Sequence, residues 1–100
     1  MVIPEKVKIL GQTYNVIWDS DISVNHDSCG FARHSMQEII LAPSCKGDPR
    51  HQENIEETFI HEILHGIFVA IGRGDINRND LIDPLSRAIY AVLKDNGWLK

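Results

Sequence analysis

With 100 residues the chain has material for one domain and one modest hydrophobic core. Its 43% hydrophobic and 24% charged residues suit a globular protein and exclude a disordered one. The net charge of -4, with no basic run, argues against nucleic acid as the main partner, because phosphate backbones need clustered Lys and Arg.

No membrane partner is expected either. The longest apolar stretch, residues 63–71, is interrupted by His65 and is too short to cross a bilayer. The start, Met1-Val2-Ile3-Pro4-Glu5-Lys6, lacks the basic-then-apolar pattern of a signal peptide, so a cytoplasmic location is expected. Cys29 and Cys45, sixteen positions apart, then read most simply as free thiols, with a bridge across a hairpin as the alternative.

In chain order, Val7, Ile9, Tyr14, Val16 and Trp18 alternate with polar neighbours, which predicts two strands around a turn at Gly11-Gln12. Residues 19–28 are acidic and polar and read as a loop. Residues 29–34 and 37–42 read as a second strand pair turning near Ser35-Met36, with Ile39 and Leu41 on one face and Glu38 and Ile40 on the other. Pro43 cannot donate to a ladder and ends that strand. Residues 44–49 read as a loop. A helix then starts at either Asp48-Pro49 or Asn54 with Glu57, and stops at Gly72 or Gly74. A second helix begins between Asn79 and Asp83, with Pro84 tolerable only in its first turn. Its expected buried stripe is Ile82, Leu85, Ile89, Val92 and Leu93. Strands first and helices second predict an α+β domain spanning residues 1–100.

The chemistry concentrates in residues 58–72, Thr-Phe-Ile-His-Glu-Ile-Leu-His-Gly-Ile-Phe-Val-Ala-Ile-Gly. Apolar residues occupy nearly every angle of this helix, so it should be buried, and its only ionisable groups are His61, Glu62 and His65. A buried, uncompensated carboxylate costs several kcal/mol or shifts its pKa, so these groups need a partner, and a cation supplies one. His61 and His65 lie one turn apart on one face, so both imidazoles can reach one ion, and Zn²⁺ accepts such nitrogens. Glu62 sits about 100° around the helix, placed to serve as general base and acid. The competing reading is a chance pair of core histidines beside a solvent-facing Glu.

A catalytic zinc site needs a third protein ligand. Phe68 and Ile71 stand where a metzincin would have Gly and His, which excludes that subclass. The second helix offers Asp83 first and Asp80 second, with Asn79 a further candidate. Asp83 also reads as an N-cap or as an ion-pair partner of Arg87. His26, His34 and His51 read as solvated side chains. Tyr90 and Arg87 can steady an oxyanion if they face the site, although a core-edge Tyr and a surface Arg are the simpler reading. Arg73-Gly74-Asp75 reads as a helix-terminating loop, not an adhesion signal.

The segment 58–67 resembles the active-site helix of compact gluzincin-type metallopeptidases, especially small phage- and prophage-encoded proteins distantly similar to the ImmA/IrrE and SprT-like groups. Cys29-Gly30-Phe31 and Gln37-Glu38-Ile39-Ile40-Leu41 look like that group's preceding hairpin, and 81–86 and 93–96 like its second helix. The resemblance implies a zincin-like minimal core: about four strands, an active-site helix and a second helix delivering an acidic ligand. It also implies that an edge strand holding Gln37, Ile39 and Leu41 binds extended peptide by strand addition. Where such proteins often carry Glu, this chain has Asn79, Asp80 or Asp83. The expected activity is zinc-dependent peptide-bond hydrolysis on a peptide or protein substrate. The alternatives are an inactive zincin-like binding or regulatory module that retains zinc, and a metal-free interaction protein.

Overall fold

The period-two pattern of the N-terminal part produces a mixed four-stranded sheet in the computed structural model, which describes residues 1–21, 29–45 and 48–99. Strand β1 (Lys6–Ile9) and strand β2 (Gln12–Trp18) form an antiparallel hairpin, with Ile9 opposite Gln12. The two turn residues are therefore Leu10 and Gly11, one position earlier than expected, and both have positive φ, 48° and 87°. That is the handedness a two-residue hairpin turn requires. Strand β3 (Gly30–Arg33) leads through a 3₁₀ turn (His34–Met36) to strand β4 (Glu38–Leu41), as expected. Gln37, between turn and strand, has φ 54°.

The strand order is β1-β2-β4-β3, with β4 parallel to β2 and antiparallel to β3. This corrects the expectation for Gln37, Ile39 and Leu41. Strand β4 is paired on both sides, and Ile39 and Leu41 are fully buried, so the segment has no open edge for a peptide. The edge strands are β1 and β3, and β3 is the one that pairs with β4. Residues 44–49, expected as plain loop, contain a short ladder between β5 (Ser44–Cys45) and β6 (Asp48–Pro49). The cysteines also differ from expectation: Cys29 and Cys45 are joined by a disulfide, with Cα atoms 5.8 Å apart. The loop expected at 19–28 lies mostly outside the described residues, as does His26.

Helix α1 (Gln52–Ala70) starts at neither expected signal. His51 is its N-cap residue, without a side-chain cap. It ends as expected before Gly72, whose φ is +74°. The Gly72 amide bonds the Val69 carbonyl and the Arg73 amide bonds that of Phe68, a Schellman closure. Helix α2 (Asn79–Asp95) ends the same way, with Gly97 to Lys94 and Trp98 to Leu93. Pro84 is the sixth residue of α2, past the first turn where it was expected, so the helix continues without an amide bonding back to Asp80.

Helix α1 is apolar on two sides because it packs on two sides. Toward the sheet, Ile55 and Phe59 join Ile9, Tyr14, Ile39 and Leu41. Toward α2, Ile60 and Leu64 join Ile82 and Tyr90. Gly66 permits the sheet to approach, since a Cβ there would stand 2.8 Å from Ile9 Cδ1. Of the expected stripe of α2, Ile82 is buried, Leu85, Ile89 and Leu93 are half-buried and Val92 is 53% exposed, while Ser86 and Tyr90 are buried as well. Sheet, α1 and α2 thus form three layers, with α1 in the middle. Among the described residues no helix is long and apolar enough to cross a membrane.

Candidate metal centre

The middle-layer position of α1 decides what surrounds its polar residues. His61 and His65 leave the helix at the margin between sheet and α2, where the connection from α1 returns to start α2. Their Nε2 atoms face each other at 3.1 Å. His61 Nδ1 lies 3.0 Å from Asp83 Oδ1, and His65 Nδ1 lies 2.5 Å from Asn77 Oδ1. A carboxylate and an amide oxygen only accept, so the Asp83 contact makes Nδ1 the donating nitrogen of His61, and at His65, which has an amide oxygen at each nitrogen, the shorter Asn77 contact favours Nδ1 as the donor. Each Nε2 then carries a lone pair, and the two lone pairs point into the same space. A third acceptor, Asn79 Oδ1, stands 3.1 Å from His65 Nε2.

Glu62 occupies the neighbouring angle, with only 5% of its surface exposed. Its Oε2 is 3.9 Å from His61 Nε2. Burial, with the Asp83 charge adding to it, pushes the Glu62 carboxyl up to about 7. Burial first, and the neighbouring His65 second, hold the His61 ring below the usual histidine range, against the opposing pull of Asp83. His61 therefore keeps a free lone pair at neutral pH. His61, Glu62 and His65 form a group able to hold a metal ion, one donor atom from each lying within 4.8 Å of the others. Two donors bound at about 2.0–2.1 Å to a tetrahedral ion stand about 3.3–3.4 Å apart. The two Nε2 atoms fit that spacing, whereas the Glu62 oxygen stands further off, at 3.9 Å.

Two hollows adjoin the group. One, of about 520 Å³, is lined by Arg50, Glu57, Thr58, Asp83 and Arg87 among others. The other, of about 340 Å³, is lined by Phe31, Ala32, His34, His65 and Asn79 among others. Gly30, His61 and Glu62 line both, so the two hollows meet at the histidine–carboxylate pair and beside edge strand β3. The disulfide and Arg50 shape the wall of the larger one. Arg50 donates to the carbonyls of Cys29, Ala42 and Asn54 and to Thr58 Oγ1.

The expected site residues separate clearly. His61, Glu62 and His65 come together. Asp83 reaches the group, but at the outer nitrogen of His61, and it pairs with neither Arg87 nor a helix cap. Asp80 pairs with Arg78 in solvent. Gln37, Ile39 and Leu41 line neither hollow. Tyr90 is a core residue whose hydroxyl donates to buried Glu56, 2.8 Å away, and Arg87 bonds Glu57 at the surface. Arg73 and Asp75 pair with each other in an exposed loop. His34, expected to be a solvated hairpin tip, instead faces the smaller hollow, its Nδ1 3.1 Å from the buried Tyr14 hydroxyl. Burial, then His65, lowers its pKa. Asn77 was missed altogether, because an Asn in a polar connection carries no periodic signal. Compared with protein-family models, curated proteins and solved structures, the chain matches none.

Proposed function

We propose that the chain is a zinc-dependent hydrolase of peptide bonds, built on a zincin-like core. The observation that supports it most is the pair of inward Nε2 atoms 3.1 Å apart, each ring fixed from outside by an acceptor, beside a buried carboxyl group. Metal-ligating histidines generally give their other nitrogen to such an acceptor. A chance pair of core histidines has no reason to turn both unprotonated nitrogens toward each other.

A zinc ion, when bound, lowers the pKa of a water and polarises a carbonyl oxygen. His61 and His65 would hold it, through Nε2. Glu62, poised near neutrality by burial, takes the proton of the attacking water and delivers it to the leaving amine. The 3.9 Å separation of its oxygen from His61 Nε2 suits a base that works beside the ion and does not bind it. The two hollows let an extended chain cross over Glu62, one end in each, along β3. His34, braced by Tyr14, faces that path from the smaller hollow.

The test is cleavage of a diverse peptide mixture by the zinc-loaded full chain, read by mass spectrometry. Cleavage is expected to fall about 10²–10⁴-fold in Glu62→Gln with zinc retained. Cleavage that survives unchanged in Glu62→Gln removes Glu62 as the base. A zinc-loaded wild type that cleaves nothing turns the reading to the inactive module.

A further inference from the structure

Two imidazoles do not complete a zinc site, and the side chains around them divide into two kinds. Asp83 and Asn77 contact the Nδ1 atoms, on the outer side of each ring. Asn79 alone of the α2 side chains has its oxygen at an Nε2 atom, 3.1 Å from that of His65. His65 Nε2 thus has two acceptor atoms beside it, the His61 nitrogen and the Asn79 oxygen, each 3.1 Å away. A single proton can serve one pair of these three atoms, and a cation serves all three. Asp83 is excluded from the Nε2 side by its own placement, because Nδ1 and Nε2 lie on opposite sides of the imidazole ring.

We infer that Asn79, through its side-chain oxygen, is the third metal ligand, and that Asp83 and Asn77 act as positioning residues that hold the His61 and His65 rings. This rests on the metal reading of the preceding section. It alters the chemistry expected there. Two imidazoles and an amide are all neutral, so the ligand set cancels none of the ion's charge. The compensating negative charge comes chiefly from Glu62, while Asp83 acts through its contact with His61 Nδ1. A neutral oxygen binds zinc less strongly than a carboxylate. The site should therefore be weaker than a His-His-carboxylate centre, and installing a carboxylate at position 79 should strengthen it.

The position of Asn79 in the chain makes this geometrically natural. It is the first residue of α2, and Arg78 before it is extended, so its side chain projects back toward the end of the preceding connection. The same connection supplies Asn77 two residues earlier. Asp83 lies one turn further along α2, which carries it past the Nε2 atoms to the far side of His61.

The experiment is competition of the full chain for zinc against a chromophoric chelator, for wild type, Asn79→Ala, Asn79→Asp, Asp83→Asn and Asp83→Ala. Metal-free melting curves confirm that each variant folds. Asn79→Ala should weaken zinc at least 10-fold and Asn79→Asp should tighten it. Asp83→Asn keeps an oxygen acceptor for the His61 Nδ1 proton and should change affinity less than about 5-fold, while Asp83→Ala should cost 10–100-fold. The visible spectrum of the cobalt-loaded chain should change its band positions in Asn79→Ala and keep them in Asp83→Asn. Asn79→Ala leaving both zinc affinity and the cobalt spectrum unchanged overturns the assignment, as does Asp83→Asn abolishing binding. A wild type that takes up no zinc sinks the metal reading itself, an outcome distinct from either.

Discussion

At the scale of single residues, the unusual feature is a carboxyl group that the fold buries at the junction of three layers. Glu62 has an ordinary pKa of 4.5, raised in the fold to about 7 by burial and by Asp83. A group whose folded pKa is raised binds more protons folded than unfolded, so its contribution is complete below pH 4.5 and is lost as pH climbs to 7. The metal-free protein should therefore lose stability across that window, by up to about 3 kcal/mol. Glu62→Gln should remove that pH dependence, so chemical denaturation of metal-free wild type and variant at pH 5 and pH 8 checks the sign. A bound cation favours the ionised form, so zinc should raise the melting temperature more at pH 8 than at pH 6. Glu56 behaves oppositely. Burial pushes its pKa up, but the hydrogen bonds from Tyr90, Gln52 and the Met1 amine and the amine's charge outweigh that and lower it overall. Its contribution is present above the ordinary value and fades as the solution is acidified through the lowered one. Tyr90→Phe should weaken that acid dependence, measured by melting from pH 5 down to pH 3.

At the scale of elements, the sequence was legible where a pattern repeats and illegible where one contact decides. The two hairpins, helix α1 and its Gly72 stop follow from periodicity and glycine placement. The pairing of β2 with β4 does not, because alternation specifies which face a residue takes and not which strand lies beside it. That is why Ile39 and Leu41 read as an edge and prove to be interior. The start of α1 was misread because Asp48-Pro49 has a capping pattern but is held in a two-residue ladder against Ser44-Cys45. In the site, the His61-Glu62-His65 group was legible because helical spacing alone brings it together. Asn77, Asn79 and the true position of Asp83 depend on how the 71–78 connection folds back, which no local pattern encodes. A local conflict also remains in the first hairpin. Leu10 takes a left-handed conformation, φ 48°, that costs a branched side chain about 1 kcal/mol, and it is 63% exposed. Leu10→Asn, which gives the Asn-Gly pair such turns favour, should stabilise the protein by about 0.5–1 kcal/mol in urea denaturation.

At the scale of the whole molecule, the layered arrangement explains how a small chain can bury a histidine–carboxylate group. The helix bearing the histidines is covered on two sides, and the flanking hollows lie beside β3. The wall of the larger hollow includes the Cys29–Cys45 bridge and Arg50, which ties the carbonyls of Cys29 and Ala42 to Asn54 and Thr58 of α1. A bridge closing sixteen residues contributes about 3 kcal/mol by restricting the unfolded chain. Reduction should therefore lower the denaturation midpoint by a corresponding amount, and a Cys29→Ser, Cys45→Ser double variant should match the reduced protein. The central claim is that α1 presents a metal centre through His61 and His65. It is tested most directly by calorimetric titration of the metal-free full chain with zinc. One equivalent should bind in wild type and in Glu62→Gln, and binding should be lost in His61→Ala and in His65→Ala. Zinc uptake that is absent in wild type, or that survives both histidine substitutions, would contradict it.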